Sequence, residues 1–155
     1  MKQLFLLRHG EAGFSEGTDF QRQLTQKGIE RLNRMGSGLK SRSLSVDLMY
    51  CSTARRTMET ASIIHDYITI KEEIFIKEIY GGNLGDLIHL LENIPIQVNS
   101  CLIIGHNPIL SLLVANLSGE SYINLQPGML AHLELEIDDW RMVGFDSGIL
   151  KEIFQ

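Results

Sequence analysis

Three short, mainly apolar runs in this chain each stop abruptly at a polar turn, and this recurrence restricts the possible fold more than any other feature. Gln3 to Leu7 ends in Arg8-His9-Gly10-Glu11. Val46 to Tyr50 leads into Ser52-Thr53-Ala54-Arg55-Arg56. Cys101 to Ile104 ends in Gly105-His106-Asn107-Pro108. Apolar runs of this length without polar alternation read as strands buried on both faces. Amphipathic segments lie between them. Thr25 is placed to cap a helix running to about Lys40, with Ile29, Leu32, Met35 and Leu39 on one face, although Gly28 and Gly36 weaken it. Ala54 to about Ile68 repeats its apolar residues at helical spacing through Met58, Ala61, Ile64 and Ile68, and Leu84 to Leu91 does likewise. Asn107 or Pro108 opens an apolar helix through Leu117, with proline near the first turn, where its missing N–H costs nothing.

The remaining segments are less regular. Residues 10–24 hold three glycines and scattered acids and read as a long loop, a kind of segment that often carries function. Glu73 to Ile76 reads as a short strand. In Leu130 to Ile137, Leu133, Leu135 and Ile137 alternate with His132, Glu134 and Glu136, the pattern of a half-exposed strand. Asp138 and Asp139 then turn the chain, and Trp140 to Phe145 is expected to return antiparallel. Strand–helix units followed by a hairpin give an α/β fold: a three-layer sandwich with a mostly parallel sheet and an antiparallel C-terminal element, one domain over residues 1–155.

Charge and cysteine content narrow the function classes. Fourteen Lys and Arg stand against 19 Asp and Glu, a formal net charge of −5 with no basic block, which argues against nucleic acid as the main partner. Cys51 and Cys101 lie in apolar runs and read as buried free thiols rather than a disulfide framework. The longest mainly apolar stretch, Ile109 to Leu117, is about half of the ~20 residues that a bilayer demands. The start, MKQLFLLRHGE, breaks too soon for a signal peptide core. A soluble, cytoplasmic protein without a membrane partner is the expectation.

In open α/β sheets ligands sit beyond the carboxyl ends of the strands. Three such ends here deliver Arg8, Arg56 and His106 together with His9, which would make one positively charged pocket. Guanidinium groups match phosphate oxygens in pairs and stay charged. A histidine beside them serves as nucleophile, acid or ligand. Gly10 allows close backbone approach to a bound group, and helices opening after Ser52 and Gly105 can aim N–H groups at an anion. The pattern reads as a phosphoryl site with a histidine in attacking range. No Asp/His cluster has metal-ligand spacing, so neither metal nor cofactor is expected.

These residues carry a resemblance. Arg8-His9-Gly10 after an N-terminal strand resembles the RHG signature of the histidine phosphatase superfamily, which includes phosphoglycerate mutases and acid phosphatases. Ser52-x-x-x-Arg56-x-x-x-Thr60 resembles its second arginine motif, and Gly105-His106-Asn107-Pro108 its second histidine segment. Asp19-x-x-Arg22-x-Leu24-Thr25-x-x-Gly28 is similar to the narrower pattern of the SixA-type phosphohistidine phosphatases. The resemblance runs from Met1 to about Gly119. It implies a phosphoglycerate mutase-like fold and a hydrolase in which His9 is the nucleophile and forms a phosphohistidine intermediate. Arg8 and Arg56 would hold the phosphoryl oxygens, with Gly10 beside them. His106 would complete the cradle, and Arg22 would be a further phosphate ligand. Glu78 lies in the region where relatives carry a general acid, a need that a phosphoramidate reduces. Gln23 stands where the narrower pattern has proline, and Thr53 and Thr57 replace commoner residues around Arg56. Arg55 adjoins Arg56, but the Ser52 and Thr60 spacing selects Arg56.

Residues 79–105, between Glu78 and His106, number 27, whereas mutases and acid phosphatases carry much longer insertions there. A short connection implies an open pocket suited to a phosphorylated side chain on another protein, such as a histidine phosphotransfer domain or phosphotransferase component, with inorganic phosphate as product. The alternative is a phosphomonoesterase for a sugar or nucleotide phosphate, which would need Glu78 as acid. A third reading is a non-catalytic phosphoprotein-binding module. Ser52 reads as a helix cap and Glu11, Glu16 and Asp19 as solvated acids, with rejection of anionic small molecules as a further role.

Overall fold

The computed structural model describes residues 1–155. Six strands form one sheet: β1 (Lys2–Arg8), β2 (Ser45–Ser52), β3 (Thr69–Ile76), β4 (Ser100–Gly105), β5 (Leu130–Leu135) and β6 (Gly148–Phe154). Their order is β3-β2-β4-β1-β5-β6. The first four are mutually parallel, and β5 and β6 are antiparallel to their neighbours. Four helices, α1 (Gln26–Ser41), α2 (Arg55–Ile64), α3 (Leu84–Glu92) and α4 (Ile109–Ser118), cover the sheet.

Side chains alternate across the pleat, so each central strand feeds two cores. Leu4, Leu6, Leu48, Cys101 and Ile103 pack with α3 and α4, while Phe5, Leu7, Met49, Cys51, Leu102 and Ile104 pack with α1 and α2. This explains why the strands lack polar alternation: neither face meets water. Each such side chain contributes roughly 1.5–3 kcal/mol on full burial. Both cysteines are buried free thiols, as their apolar context implied, and burial pushes Cys51 up to about 12. No helix is long and apolar enough to cross a membrane.

The three-layer sandwich with its antiparallel C-terminal part matches the expectation, but several elements differ. Trp140 to Phe145 is not the returning strand. Trp140–Met142 is a short 3-10 turn, and Trp140 is fully buried with its indole Nε1–H on the Val98 carbonyl at 2.8 Å. A side chain committed to the core anchors this segment beside the sheet, and the strand that pairs with β5 begins later, at Gly148. β3 spans eight residues rather than four. It is an edge strand, and its charged Lys71, Glu72 and Glu73 protect the open side. The helix expected from Ala54 to Ile68 covers Arg55–Ile64, with Ala54 as N-cap. The 10–24 loop contains a 3-10 turn at Asp19–Gln21 and a bridge between Ala12 and Leu24.

Candidate active site

The site forms where β1, β2 and β4 end on the same side of the sheet. Arg8 is the last residue of β1, and His9 continues the pairing by donating its N–H to the Gly105 carbonyl at 3.1 Å. The Gly128 N–H lies 3.1 and 3.0 Å from the Arg8 and His9 carbonyls. The Gly10 N–H donates to Thr60 Oγ1, whose hydroxyl donates to the Arg56 carbonyl. A Cβ at position 10 would lie 2.7 Å from Leu32 Cδ1 and 3.1 Å from Leu24 Cδ2, so glycine allows this turn to seat against α1. His9 is therefore held through β4, α2 and the 126–128 segment at once.

His9 is 8 % exposed. Its Nδ1 lies 2.7 Å from the Gly10 carbonyl. A carbonyl only accepts, so Nδ1 carries the hydrogen and Nε2 keeps a lone pair. Burial, followed by the charges of Arg56, Arg8 and Arg22, lowers His9 to about 4 despite the opposing Gly10 bond. The ring is a neutral base at ordinary pH.

Arg56 links the cluster. The 52-56-60 spacing places it one helical turn from Thr60 on the buried face of α2. Arg56 Nε donates to His9 Nε2 at 3.3 Å and Nη1 to the Asp19 carbonyl at 2.8 Å. Nη2 reaches Asp19 Oδ2 at 3.1 Å and His106 Nδ1 at 3.3 Å. Arg55 turns outward and pairs with Glu59, so of the two adjacent arginines it is Arg56 that meets His9 and His106.

Arginine only donates, so His106 Nδ1 accepts and its Nε2–H donates to Ser52 Oγ at 2.8 Å. Burial, then His9 and Arg56, lower His106 to about 3. The two histidine rings stand 5.3 Å apart. Ser52 was read as a helix cap, but Ala54 takes that position without a side-chain cap bond; Ser52 Oγ accepts the Ala54 N–H at the end of β2 and orients His106 instead. Arg8 donates Nη1 to the Leu125 carbonyl and has no carboxylate partner, while its Nε is buried without an acceptor.

The structure does not bring the other two expected residues into contact with His9. Arg22 donates Nε to the Gly13 carbonyl, Nη2 to the Ala12 carbonyl and Nη1 to Asp19 Oδ1. All these bonds brace its own loop. Glu78 is exposed, in the Lys77–Ile79 turn, and makes no bond to the cluster. Tyr80, two residues on, is the side chain of that segment that arrives. Its hydroxyl donates to Asp19 Oδ2 at 2.8 Å, and its ring lies edge-on 5.4 Å from His106.

Asp19 was read as a solvated acid, yet it sits in the network. It receives Arg22 on Oδ1 and Arg56 and Tyr80 on Oδ2. The Tyr80 and Arg22 bonds hold its carboxyl down at about 2, so it is ionised. Its spacing three residues before Arg22 was the available signal. Tyr80 had none beyond its proximity to Glu78. Of the side chains bonded to His9, Arg56 or His106, only Asp19 is acidic. No group of three or more His, Cys, Asp or Glu is placed to hold a metal ion. The assembly offers a neutral nitrogen nucleophile beside guanidinium donors, an arrangement suited to taking up a phosphoryl group.

The family model of the histidine phosphatase superfamily, branch 1, matches residues 4–89. The phosphohistidine phosphatase SixA of Escherichia coli is 27 % identical over 118 residues, 74 % of this chain and 73 % of that protein. A structure of the protein histidine phosphatase SixA with tungstate superposes with a TM-score of 0.85 at 24 % identity, covering 99 % of this chain and 96 % of that one. The alpha-ribazole phosphatase of Shigella flexneri shares the fold with a TM-score of 0.63 at 19 % identity, covering 99 % and 96 %.

Proposed function

This chain belongs to the histidine phosphatase superfamily, and from that premise we propose that it removes the phosphoryl group from phosphohistidine on another protein. The observation that carries the proposal is the protonation pattern of the site. The nucleophile is neutral, and the one carboxylate in the network is ionised. An ester leaving as alkoxide needs a proton donor. Asp19 is held in the wrong form for that role, and Glu78 makes no contact with the cluster. A phosphoramidate leaving as imidazole makes no such demand. Similarity to SixA along most of the chain supports the same choice.

In this mechanism His9 Nε2 attacks phosphorus while Arg8 and Arg56 bind equatorial oxygens, and Gly10 holds the Nδ1 hydrogen throughout. The incoming dianion favours protonated His106, whose Nδ1 then donates to the phosphoryl group while Nε2–H stays on Ser52. Charge stabilisation of this kind is the main source of phosphoryl-transfer catalysis. Water then releases inorganic phosphate from His9. Arg22 acts through Asp19 and the loop. The exposed apolar side chains of Phe14, in the Arg22 loop, and of Tyr122 offer contact surface to a protein substrate.

The test compares phosphate release from a phosphohistidine protein and from an aryl phosphate, with a chelator present, for wild type and His9→Ala. Release from the phosphohistidine protein that resists chelation and disappears in His9→Ala is the expected result. Full activity of His9→Ala refutes the mechanism. The fold neighbours that act on small molecules keep one other reading open. Fast ester hydrolysis with an inert phosphohistidine protein would establish a small-molecule phosphomonoesterase, and Glu78→Gln would then lower the ester rate.

A further inference from the structure

An N-phosphorylated imidazole departs readily only when its second ring nitrogen is protonated. The electron pair of the breaking P–N bond then neutralises an imidazolium. Without that proton the ring must leave as imidazolate, a far stronger base. The enzyme's own ring already meets this condition, because the Gly10 carbonyl holds the Nδ1–H of His9. A phosphoryl group on Nε2 therefore makes His9 a cationic ring that later leaves as neutral imidazole. The substrate ring needs an equivalent acceptor for its own N–H.

One side chain is placed to be that acceptor. Asp19 lies across the Arg56 guanidinium from His9: Nε of Arg56 bonds His9, whereas Nη1 and Nη2 bond Asp19. Its side chain is half exposed, so an incoming group can reach it. A carboxylate has about four lone-pair positions. Arg22 takes one on Oδ1, and Arg56 and Tyr80 take two on Oδ2. A position on Oδ1 is left for a further donor.

On the phosphohistidine reading above, we propose that Asp19 accepts the free ring N–H of the substrate imidazole, keeps that ring cationic, and so selects phosphorylated imidazole over phosphate esters. In the first step the bond from His9 Nε2 to phosphorus forms and the substrate P–N bond breaks. The released electron pair stays on the substrate ring, which leaves as neutral imidazole with its N–H still donated to Asp19. Positive charge appears on the His9 ring in exchange. The second step adds water to the phosphoryl group, returns neutral His9 and gives dihydrogen phosphate. No oxidant or further acid enters either step.

The experiment uses three small probes with wild type and Asp19→Asn: phosphoimidazole, its N-methylated and permanently cationic analogue, and an aryl phosphate ester. Loss of a hydrogen bond to a charged group predicts a fall in kcat/KM of roughly 10- to 100-fold on phosphoimidazole. That fall should deepen as pH rises. Neither the methylated probe nor the ester has a ring N–H to present, so both should lose only what the weakened Asp19–Arg56 contact costs, and phosphoimidazole should lose roughly 10-fold or more beyond that. A circular dichroism spectrum and melting temperature like those of wild type show that the variant is folded. Equal losses on all three probes would overturn the inference and leave Asp19 as a residue that only positions Arg56. If wild type fails on phosphoimidazole while hydrolysing the ester, the phosphohistidine reading itself fails and this inference with it.

Discussion

Two regions meet in this site, and they are built differently. The cradle, with His9, Arg56 and His106, grows from strand ends and the first turn of a helix, and the side chain of Arg56 is 7 % exposed. The facing loop contributes Asp19, 51 % exposed, and Arg22, 36 % exposed, held by side-chain bonds, one 3-10 turn and an isolated bridge rather than by a strand of the sheet or one of the four helices. Desolvation acts on the first region: it strips protons from both histidines. Local hydrogen bonds act on the second: they hold the Asp19 carboxyl below the usual carboxylate range. A buried cradle fixes the reacting atoms, and an exposed loop can adapt to whatever carries the phosphoryl group.

The comparison breaks if the two arginines prove equivalent. Arg56→Ala removes a donor aimed at the reacting group and should lower kcat by about 10²–10³. Arg22→Ala loosens the loop and should act mainly on KM, with a loss of roughly 10-fold or less. Steady-state kinetics on a phosphohistidine protein gives both numbers. A larger kcat loss for Arg22 would place that side chain on the phosphoryl group instead.

The same division decides what could be read from the sequence. Arg8, His9, Arg56 and His106 were legible because their positions follow from regular elements: apolar runs end before them, and 52, 56 and 60 repeat at helical spacing. Asp19 and Tyr80 are 61 residues apart. Their meeting depends on the path of two irregular segments, which no periodicity records. An acid in a glycine-rich loop gives the same signal whether it faces water or an arginine. Glu78 was chosen by its region, and the structure turns the neighbouring Tyr80 toward the site instead. The antiparallel C-terminal pair was legible, but its returning strand was misplaced for a similar reason. Trp140 to Phe145 carries strand-forming residues, but burial of the Trp140 indole overrides that preference, and β6 follows two residues after the positive-φ Asp146.

Within the cradle, Ser52→Ala should have the next largest effect. It leaves the part-buried Nε2–H of His106 without its acceptor, at a cost of about 1–3 kcal/mol, or roughly 5- to 150-fold if the whole cost falls on the transition state. The pH dependence of stability tests the same desolvation. His9 and His106 have folded values near 4 and 3, below the usual 6.5. Between these limits the unfolded chain binds more protons than the folded one, so stability rises with pH. Their contribution is complete above about 6.5 and drains away as pH falls toward 4. Melting temperatures across pH 4.5 to 7 should show the slope, and His106→Asn should flatten it. An unchanged slope would mean that the pocket is wetter than its burial implies.

The smallest effect is expected where the two regions touch through Tyr80. Tyr80→Phe keeps the ring against His106 and Phe20 and removes only the bond to Asp19 Oδ2. That bond is exposed and Arg56 and Arg22 remain, so the loss should be a few-fold at most, about 1 kcal/mol or less. Its direction carries the information. If Asp19 serves only to hold Arg56, freeing Oδ2 tightens that ion pair and activity on all substrates stays level or rises. If Asp19 must also stay oriented toward an incoming ring, turnover of phosphohistidine falls while that of an aryl ester does not. Kinetics of this one variant on the two substrates therefore distinguishes a loop that braces the cradle from a loop that reads the leaving group.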